Sequence, residues 1–285
     1  MTKCKDVCAG IVIYNPEIKR LQDVICAICQ QVEELILVDN GSTNNSELVE
    51  VANEQDNVHL MRNSKNEGIA KALNQICSYS VERGYEWCLT LDHDTVCHEG
   101  MVSQLMNYSD KAKIGIVCPR VDYEGVNIKQ KNTESETVDV YACMTSGSLT
   151  NLSAWKQIGG FRESYFIDYV DNEYCMRLGL AGYKIVRVNG CVMHHRLGES
   201  VKKKLFHIFP VTVTTHKPWR FYYMTRNNLL FIGQYMKHLN VIKEYAKIAS
   251  ILYHGILYSN HRKETISYIW RGVKDAYCHR EGKME

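Results

Sequence analysis

Between residues 7 and 94, short apolar runs rich in β-branched residues alternate four times with stretches of helical period, and the connections are short. Val7 to Tyr14 is an apolar run that stops at Asn15-Pro16, as a strand does when it enters a loop. Leu21, Val24, Ile25 and Ile28 then recur at the spacing of an amphipathic helix across Ile18 to Gln31. Glu34 to Val38 is a second strand, ended by Asp39-Asn40-Gly41-Ser42, and a helix follows from about Ser46 to Asn53. Val58 to Met61 is the third strand, Asn63 to Gly68 a polar loop, and Ile69 to Arg83 a helix with the small residues Ala70 and Ala72 in its early turns. Trp87 to Leu91 is the fourth strand, bounded by Gly84 and ended by Asp92-His93-Asp94. This alternation predicts an α/β fold with a mostly parallel sheet built from right-handed β-α-β units. Ligands of such sheets bind beyond the carboxyl ends of the strands. Tyr14-Asn15, Asp39 to Ser42, Asn66-Glu67-Gly68 and Asp92 to Asp94 are therefore expected to be neighbours in space.

Alternate residues of a strand share a face, so Asp92 and Asp94 are read as pointing the same way. Two carboxylates brought together repel unless a cation sits between them or one keeps its proton. The pair reads either as a site for Mg²⁺ or Mn²⁺ carrying a phosphate, or as an Asp-rich turn that caps the following helix. No Gly-x-Gly-x-x-Gly follows the first strand and no Gly-Lys-Ser/Thr occurs, which disfavours the dinucleotide fold and the P-loop.

Past Asp94 the regular alternation ends. Met101 to Tyr108 reads as a helix, Ile114 to Pro119 as a strand, and Asp122 to Asp139 as a polar excursion over the site. Val140 to Thr150 reads as a strand in which Gly147 lets a ligand approach the backbone. Asn151 offers an N-cap for a helix to Ile158, broken by Gly159-Gly160-Phe161, and Tyr183 to Val188 is a strand leading to His194-His195. Asp168, Asp171 and Glu173 form an acidic cluster beside Tyr165, Phe166 and Tyr169. Such a cluster is either the acidic first turn of a helix or the source of a general base.

Composition excludes other classes. With 45% hydrophobic residues, 23% charged residues and a net charge of +2, the chain is neither disordered nor built to bind nucleic acid. Twelve cysteines are scattered without a framework spacing, mostly inside apolar runs, and Cys26-x-x-Cys29 has no second pair to complete a zinc site. No apolar run reaches the roughly 20 residues of a membrane span, and the start shows no signal-peptide core. A reduced, cytoplasmic setting is expected, at the inner face of the cell membrane if the C-terminal part contacts lipid.

The order Tyr14-Asn15-Pro16, Val38-Asp39-Asn40-Gly41-Ser42, Asn66-Glu67-Gly68-Ile69-Ala70-Lys71-Ala72-Leu73-Asn74 and Asp92-His93-Asp94 resembles family 2 glycosyltransferases of GT-A fold. Thr145-Ser146-Gly147, Gly159-Gly160-Phe161-Arg162-Glu163 and Phe166 to Arg177 continue the resemblance, which spans roughly residues 7 to 200. The subgroup that it most resembles is the bacterial rhamnosyltransferase-like enzymes of surface polysaccharide assembly. The resemblance implies a Rossmann-like mixed sheet flanked by helices, in a catalytic domain of residues 1–220 with a nucleotide-binding half (1–97) and an acceptor half (98–220). It implies a sugar donor such as dTDP-rhamnose or a UDP-hexose, a saccharide or lipid-linked acceptor, and inversion by one in-line displacement. By the same resemblance Asp39 meets the nucleotide base with Tyr14 and Asn15 nearby, Asn66 and Gly68 line the pocket, and Asp92 lies near the ribose. Asp94 binds a divalent metal (Mn²⁺ or Mg²⁺), with His195 completing that site and His194 as the fallback, and Arg196 meets the diphosphate. Asp171 stands where the family places its base; the usual Glu-Asp reads Val170-Asp171 here, which keeps Asp168 and Glu173 in contention. A nucleotidyltransferase also combines an α/β sheet with Asp-x-Asp, but its basic, glycine-rich first loop is here Tyr14-Asn15-Pro16-Glu17.

Lys202-Lys203-Lys204 opens a region read as irregular as far as Trp219-Arg220. Residues 221–285 read as a tyrosine-rich, net basic helical region. It either packs as plain helices or rests on an anionic bilayer as a peripheral contact.

Overall fold

The computed structural model describes residues 3–123, 135–195, 200–205, 209–214 and 216–285. The chain divides into two compact units, Met1–Glu163 with Val170–Arg196 and Ser164–Tyr169 with Leu197–Glu285.

The first unit is built on one mixed sheet. Its strands are β1 (Cys4–Ile13), β2 (Val32–Asp39), β3 (Val58–Arg62), β4 (Trp87–Asp92), β5 (Ile114–Tyr123), β6 (Thr137–Asp139), β7 (Ser148–Asn151) and β8 (Lys184–His195). They lie in the order β3-β2-β1-β4-β7-β5-β8-β6. β1 pairs parallel with both β2 and β4, and β2 with β3. β7 runs antiparallel to β4 and to β5, so β5 recovers the direction of β4, and β8 continues parallel to β5. Only β7 and the edge strand β6 run against the rest.

The helices of this unit are α1 (Ile18–Cys29), α2 (Asn45–Ala52), α3 (Ile69–Glu82), α4 (Met101–Met106), α5 (Leu152–Ile158) and α6 (Val170–Leu180). Each of the first three buries its apolar stripe; α1 does so through Leu21, Val24, Ile25 and Ile28, as the spacing predicts. β1 is buried on both faces from Val7 to Ile13, the pattern of a central parallel strand. Gly10 is a point of close approach between β1 and α3, since a Cβ there would fall 2.2 Å from Cγ2 of Ile76. Asn151 caps α5 by accepting a hydrogen bond from Ala154 N at 2.9 Å.

Several boundaries depart from the sequence reading. β5 does not stop at Pro119 but continues to Tyr123, because after a register shift it keeps pairing with β8 as far as Tyr123 opposite His195. The polar excursion expected over 122–139 is thereby shortened: Thr137–Asp139 is an edge strand, and 124–134 lies outside the described residues. Of the strand expected over 140–150 only Ser148–Asn151 forms, the preceding residues making the turn that inserts β7 between β4 and β5. Gly147 does not open space for a ligand. Its left-handed backbone (φ 80°) donates its N–H to Thr90 O, and the Sδ of buried Met193 would stand 2.2 Å from an added Cβ.

The second unit holds a two-stranded antiparallel hairpin, β9 (Ser200–Leu205) and β10 (Phe209–Thr214), where the sequence suggested irregular chain. Three helices follow: α7 (Pro218–Tyr235), α8 (Val241–Tyr258) and α9 (Arg262–Tyr277). Arg226 and Asn227 of α7 are fully buried and grip the segment 164–169. Asn227 Nδ2 donates to the carbonyls of Tyr165, Ile167 and Asp168, and Arg226 donates to Tyr222 Oη and Gly282 O. Phe166, Asp168 and Tyr169 all hold left-handed backbone in that segment (φ 60°, 63° and 63°). Three such bulky or branched-polar residues are strained and persist only because the surrounding hydrogen bonds over-determine them. Among the described residues no helix is long and apolar enough to cross a membrane.

The Gly10 contact gives a direct test of the β1–α3 packing. Gly10→Ala is expected to destabilise the protein by about 1–3 kcal/mol through overpacking against a stiff β-branched Ile76. Chemical denaturation would show it as a lower midpoint.

Candidate active site

Register places the first two acidic residues on either side of β1. Ile13 pairs with Asp39 of β2, and Val12 pairs with Asp92 of β4. With adjacent strands roughly 4.8 Å apart, both acids stand at the carboxyl edge of the sheet within two strand spacings.

Asp39 is buried, and its Oδ1 accepts the backbone N–H of Ser42 at 2.9 Å, closing the turn after β2. Its Oδ2 lies 3.7 Å from Arg62 Nε. Asn15 is joined to the same turn: its N–H donates to Ser42 Oγ at 2.8 Å, and its Oδ1 accepts from Thr43 N at 2.9 Å. Asn15 adopts φ 47°, a left-handed conformation that asparagine tolerates better than most residues. Tyr14 beside it is 46% exposed, so its ring is available to a ligand.

The Asn66 loop is organised by Asn40, a residue quoted in the motif without a role of its own. Buried Asn40 donates through Nδ2 to Asn66 Oδ1 (3.2 Å) and to Gly68 O (3.0 Å). Its Oδ1 accepts from Asn63 Nδ2 (3.1 Å) and Glu67 N (3.0 Å). One amide thus uses both donors and both lone pairs to hold this loop against the β2 turn. Asn66 Oδ1 in turn accepts from Gly68 N at 2.9 Å, just where α3 begins.

The Asp92-His93-Asp94 stretch corrects a detail of the sequence reading. β4 ends at Asp92, and Thr95 N donates to Asp92 O at 3.2 Å, so His93 and Asp94 lie in a turn. Strand alternation therefore does not orient Asp94. What holds it is Arg20 of α1, whose Nε and Nη2 donate to Asp94 O at 3.0 and 2.8 Å. Asp92 is half-buried and Asp94 exposed. Arg20 was not singled out in the sequence, because an isolated arginine on a surface helix carries no motif.

Asp171 enters from the other side of the sheet's centre. It lies in the first turn of α6, and its Oδ1 accepts from Thr145 Oγ1 at 3.3 Å. The next residue, Ser146, accepts the N–H of Asp92 through Oγ at 3.0 Å and donates to Thr95 Oγ1 at 3.1 Å. Thr90 Oγ1 donates to Thr145 O at 2.8 Å. Two adjacent residues therefore join Asp171 to the end of β4.

The other two acids of that cluster are tied down. Glu173, 1% exposed, makes a two-pronged pair with Arg177, Nε to Oε1 at 2.8 Å and Nη2 to Oε2 at 2.7 Å. Asp168, in the second unit, takes Arg220 Nη2 at 3.0 Å and Nε at 3.2 Å. Next to Asp171, the Cys175 thiol hydrogen-bonds with Cys143 and is buried, which pushes it well above the ordinary thiol range. It is a packed side chain, not a nucleophile.

His194 is exposed near the end of β8, opposite Asp122 in register. His195 closes the strand, but its side chain lies outside what the structure describes, and Arg196 lies outside the described residues altogether. Among the described residues no three His, Cys, Asp or Glu side chains cluster as a metal cage. The donor set still suits a hard divalent cation. Mg²⁺ is commonly held by one or two carboxylates with substrate phosphates and water filling the other positions, and exposed Asp94 supplies such oxygens at an open turn.

Comparison with known proteins bears on this arrangement. The chain is 28% identical to the dTDP-rhamnosyl transferase RfbF of Shigella flexneri, over 94% of this chain and 93% of that one. It is 26% identical to the low-salt glycan biosynthesis hexosyltransferase Agl10 of Haloferax volcanii over 198 residues, 62% of each chain. Among solved structures, the mannosyltransferase PcManGT from Pyrobaculum calidifontis, in complex with GDP-Man and Mn²⁺, superposes with TM-score 0.61 at 11% identity, over 98% of this chain and 76% of that one. TarS of S. aureus (residues 1–349) in complex with UDP-GlcNAc superposes with TM-score 0.60 at 16% identity, over 96% of this chain and 81% of that one. These structural likenesses show the GT-A fold that the strand order describes. Residues 8–172 match the Glycosyl transferase family 2 model, and the chain belongs to that family, as a glycosyltransferase.

Proposed function

We propose that the protein transfers rhamnose from dTDP-rhamnose, with inversion, to a saccharide or lipid-linked acceptor in the assembly of a bacterial surface polysaccharide. The observation that carries the chemistry is the Thr145–Ser146 junction, which sets a carboxylate, Asp171, beside the strand end that bears Asp92. The near full-length relationship to a dTDP-rhamnosyl transferase supports the choice of donor.

In this reading residues 1–220 carry the catalysis, with the donor held by 1–97 and the acceptor by 98–220. The nucleotide base is met by Asp39, with Tyr14 and Asn15 beside it, and Asn66 and Gly68 line the pocket that Asn40 organises. Asp92 faces the ribose. The residues that would hold a divalent cation are Asp94 and His195, with Arg196 meeting the diphosphate. When bound, that cation neutralises charge developing on the leaving nucleoside diphosphate.

Asp171 is the base. Glu173 forms a two-pronged pair with Arg177 and Asp168 is paired with Arg220, while Thr145 and Ser146 tie Asp171 to the strand end that bears Asp92, which supports Asp171 for the role. The acceptor O–H bond breaks as Asp171 takes the proton. The new bond from acceptor oxygen to the sugar's anomeric carbon forms as the bond to the β-phosphate oxygen breaks. The nucleoside diphosphate leaves with that electron pair, on the opposite face, which inverts the configuration.

The second unit supports a peripheral membrane contact. α8 and α9 expose Ile242, Tyr245, Tyr253, Ile266, Trp270 and Tyr277, and the same helices carry Lys243, Lys247, Arg262, Lys263, Arg271 and Lys274. Apolar side chains among cations match an anionic bilayer surface.

A panel of dTDP- and UDP-sugars with and without Mn²⁺ tests the donor, read as release of free nucleoside diphosphate. Turnover of a UDP-hexose but not of dTDP-rhamnose would move the assignment to a hexosyltransferase of the same fold. Pyrophosphate release would point to a nucleotidyltransferase. Asp94→Ala is expected to abolish the metal-dependent part of donor affinity measured by calorimetry. Asp171→Asn should keep donor affinity and lose transfer by about 100-fold or more; wild-type turnover in this variant would remove Asp171 from the mechanism. On vesicles containing phosphatidylglycerol, the protein should co-sediment at low salt and an Ile242→Glu/Trp270→Glu double variant should not. Equal sedimentation of both would sink the membrane assignment.

A further inference from the structure

Asn74 ends the motif that begins at Asn66, and its side-chain amide is saturated. On the second turn of α3, its Oδ1 accepts from Phe161 N at 2.8 Å and from Trp155 Nε1 at 3.1 Å. Its Nδ2 donates to Phe161 O at 2.9 Å and to Glu163 Oε1 at 3.0 Å. All four hydrogen-bonding positions of one side chain are spent on one loop, residues 159–163, and on the helix before it. Gly160 is kept small for the same reason, since a Cβ there would fall 2.7 Å from Asn74 Oδ1. Lys71, one turn earlier on α3, adds an ion pair to Glu163 at 3.3 Å.

The same loop is held from its other side by α6. Arg177 donates to Ile158 O through Nη1 and to Gly160 O through Nη2, both at 2.7 Å, while paired with Glu173. The stacked rings of Phe161 and Tyr174, with centroids 4.1 Å apart, fill the space between loop and helix. α3 begins at Gly68, in the donor pocket of the reading above, and α6 carries Asp171 in its first turn. Loop 159–163 is thus a brace between the helix that starts the donor pocket and the helix that bears the base.

We propose that Asn74 is a positioning residue for transfer, holding the 159–163 loop so that α6 presents Asp171 at a set distance from the bound donor. The proposal rests on the assignment of Asp171 as base. Side-chain amide geometry makes it specific. A carboxylate at position 74 keeps both acceptor bonds but turns the donor edge into an acceptor that faces Phe161 O and the Glu163 carboxylate. Repulsion there pushes the loop, and with it α6, out of place. One proton shared between the introduced carboxylate and Glu163 restores the lost donor, so the damage is repaired as pH falls.

The test uses the full chain with dTDP-rhamnose as donor and water as acceptor, read as dTDP release, and calorimetry with dTDP for donor affinity. Asn74→Asp is expected to bind dTDP within about twofold of wild type while its kcat falls about 10- to 100-fold at pH 8, the size of a misplaced reacting group. The ratio of variant to wild-type kcat should then rise severalfold toward pH 5.5, because protonation of Asp171 affects both proteins alike and cancels. Glu163→Ala, at a half-exposed side chain, removes one end of the brace with little risk to folding; it should lower kcat less and show no recovery with pH. Wild-type kcat in both variants, or a loss in Asn74→Asp that is flat with pH and matched by a lower melting temperature, would overturn the proposal. Absence of dTDP release from the wild type itself would instead sink the donor assignment. In that case hydrogen exchange at the amides of residues 170–174 decides, and protection unchanged by Asn74→Asp overturns the brace.

Discussion

The hydrogen bonds of Thr145 and Ser146 are the contacts on which the candidate site depends. β7 must enter the sheet against the direction of its neighbours, and the turn that lets it do so carries these two hydroxyls. Thr90 donates to the carbonyl of Thr145, Gly147 donates back to Thr90 O, and Ser146 Oγ accepts the N–H of Asp92. Thr90, Thr145, Ser146 and Gly147 are buried, where an unmade hydrogen bond costs about 1–3 kcal/mol, so the turn has little freedom to adopt another form. Asp171 hangs from the same turn through Thr145. The acid assigned as base and the strand end assigned to the donor are therefore set by one rigid junction.

Around that junction, asparagine side chains do the work that larger motifs do elsewhere. Asn15 and Asn40 each join two turns, Asn74 ties α3 to the 159–163 loop and α5, and Asn40 and Asn74 each engage four partner groups. The amide suits this task because it carries two donors and two acceptor lone pairs on one planar group without a net charge. A carboxylate could accept but not donate, and in a buried position it would need a paired cation. The buried carboxylate of Glu173 is paired in that way with Arg177, whose guanidinium also satisfies two carbonyls.

Much of the first half of the fold was legible in the sequence. The four strands and three helices up to Asp92 fall within a few residues of their expected bounds, because each is a short apolar run or an amphipathic stripe whose period follows from local geometry. The second half was harder. β5 runs past Pro119, β6 is a three-residue edge, and β9–β10 is a hairpin in a lysine-rich stretch. These strands exist through pairing partners distant in sequence, and neither composition nor period reports a partner. The reading of Gly147 failed for a related cause: what approaches its backbone is Met193, 46 residues later.

The sequence by itself determined the α/β class, the parallel core of the sheet, the polar strand ends that converge at its carboxyl edge, and family membership through motifs in a set order. Local propensity and strand topology suffice for these, since every strand end of a parallel core must open on the same side. Only the tertiary structure decided that Asp94 lies in a turn pinned by Arg20, that Glu173 is spent on Arg177 and Asp168 on Arg220, and that Asn74 and Arg177 hold one loop from two sides. Each of these depends on which distant side chain completes a hydrogen bond. That choice is made by packing, after the chain has folded, and it leaves no periodic trace in the sequence.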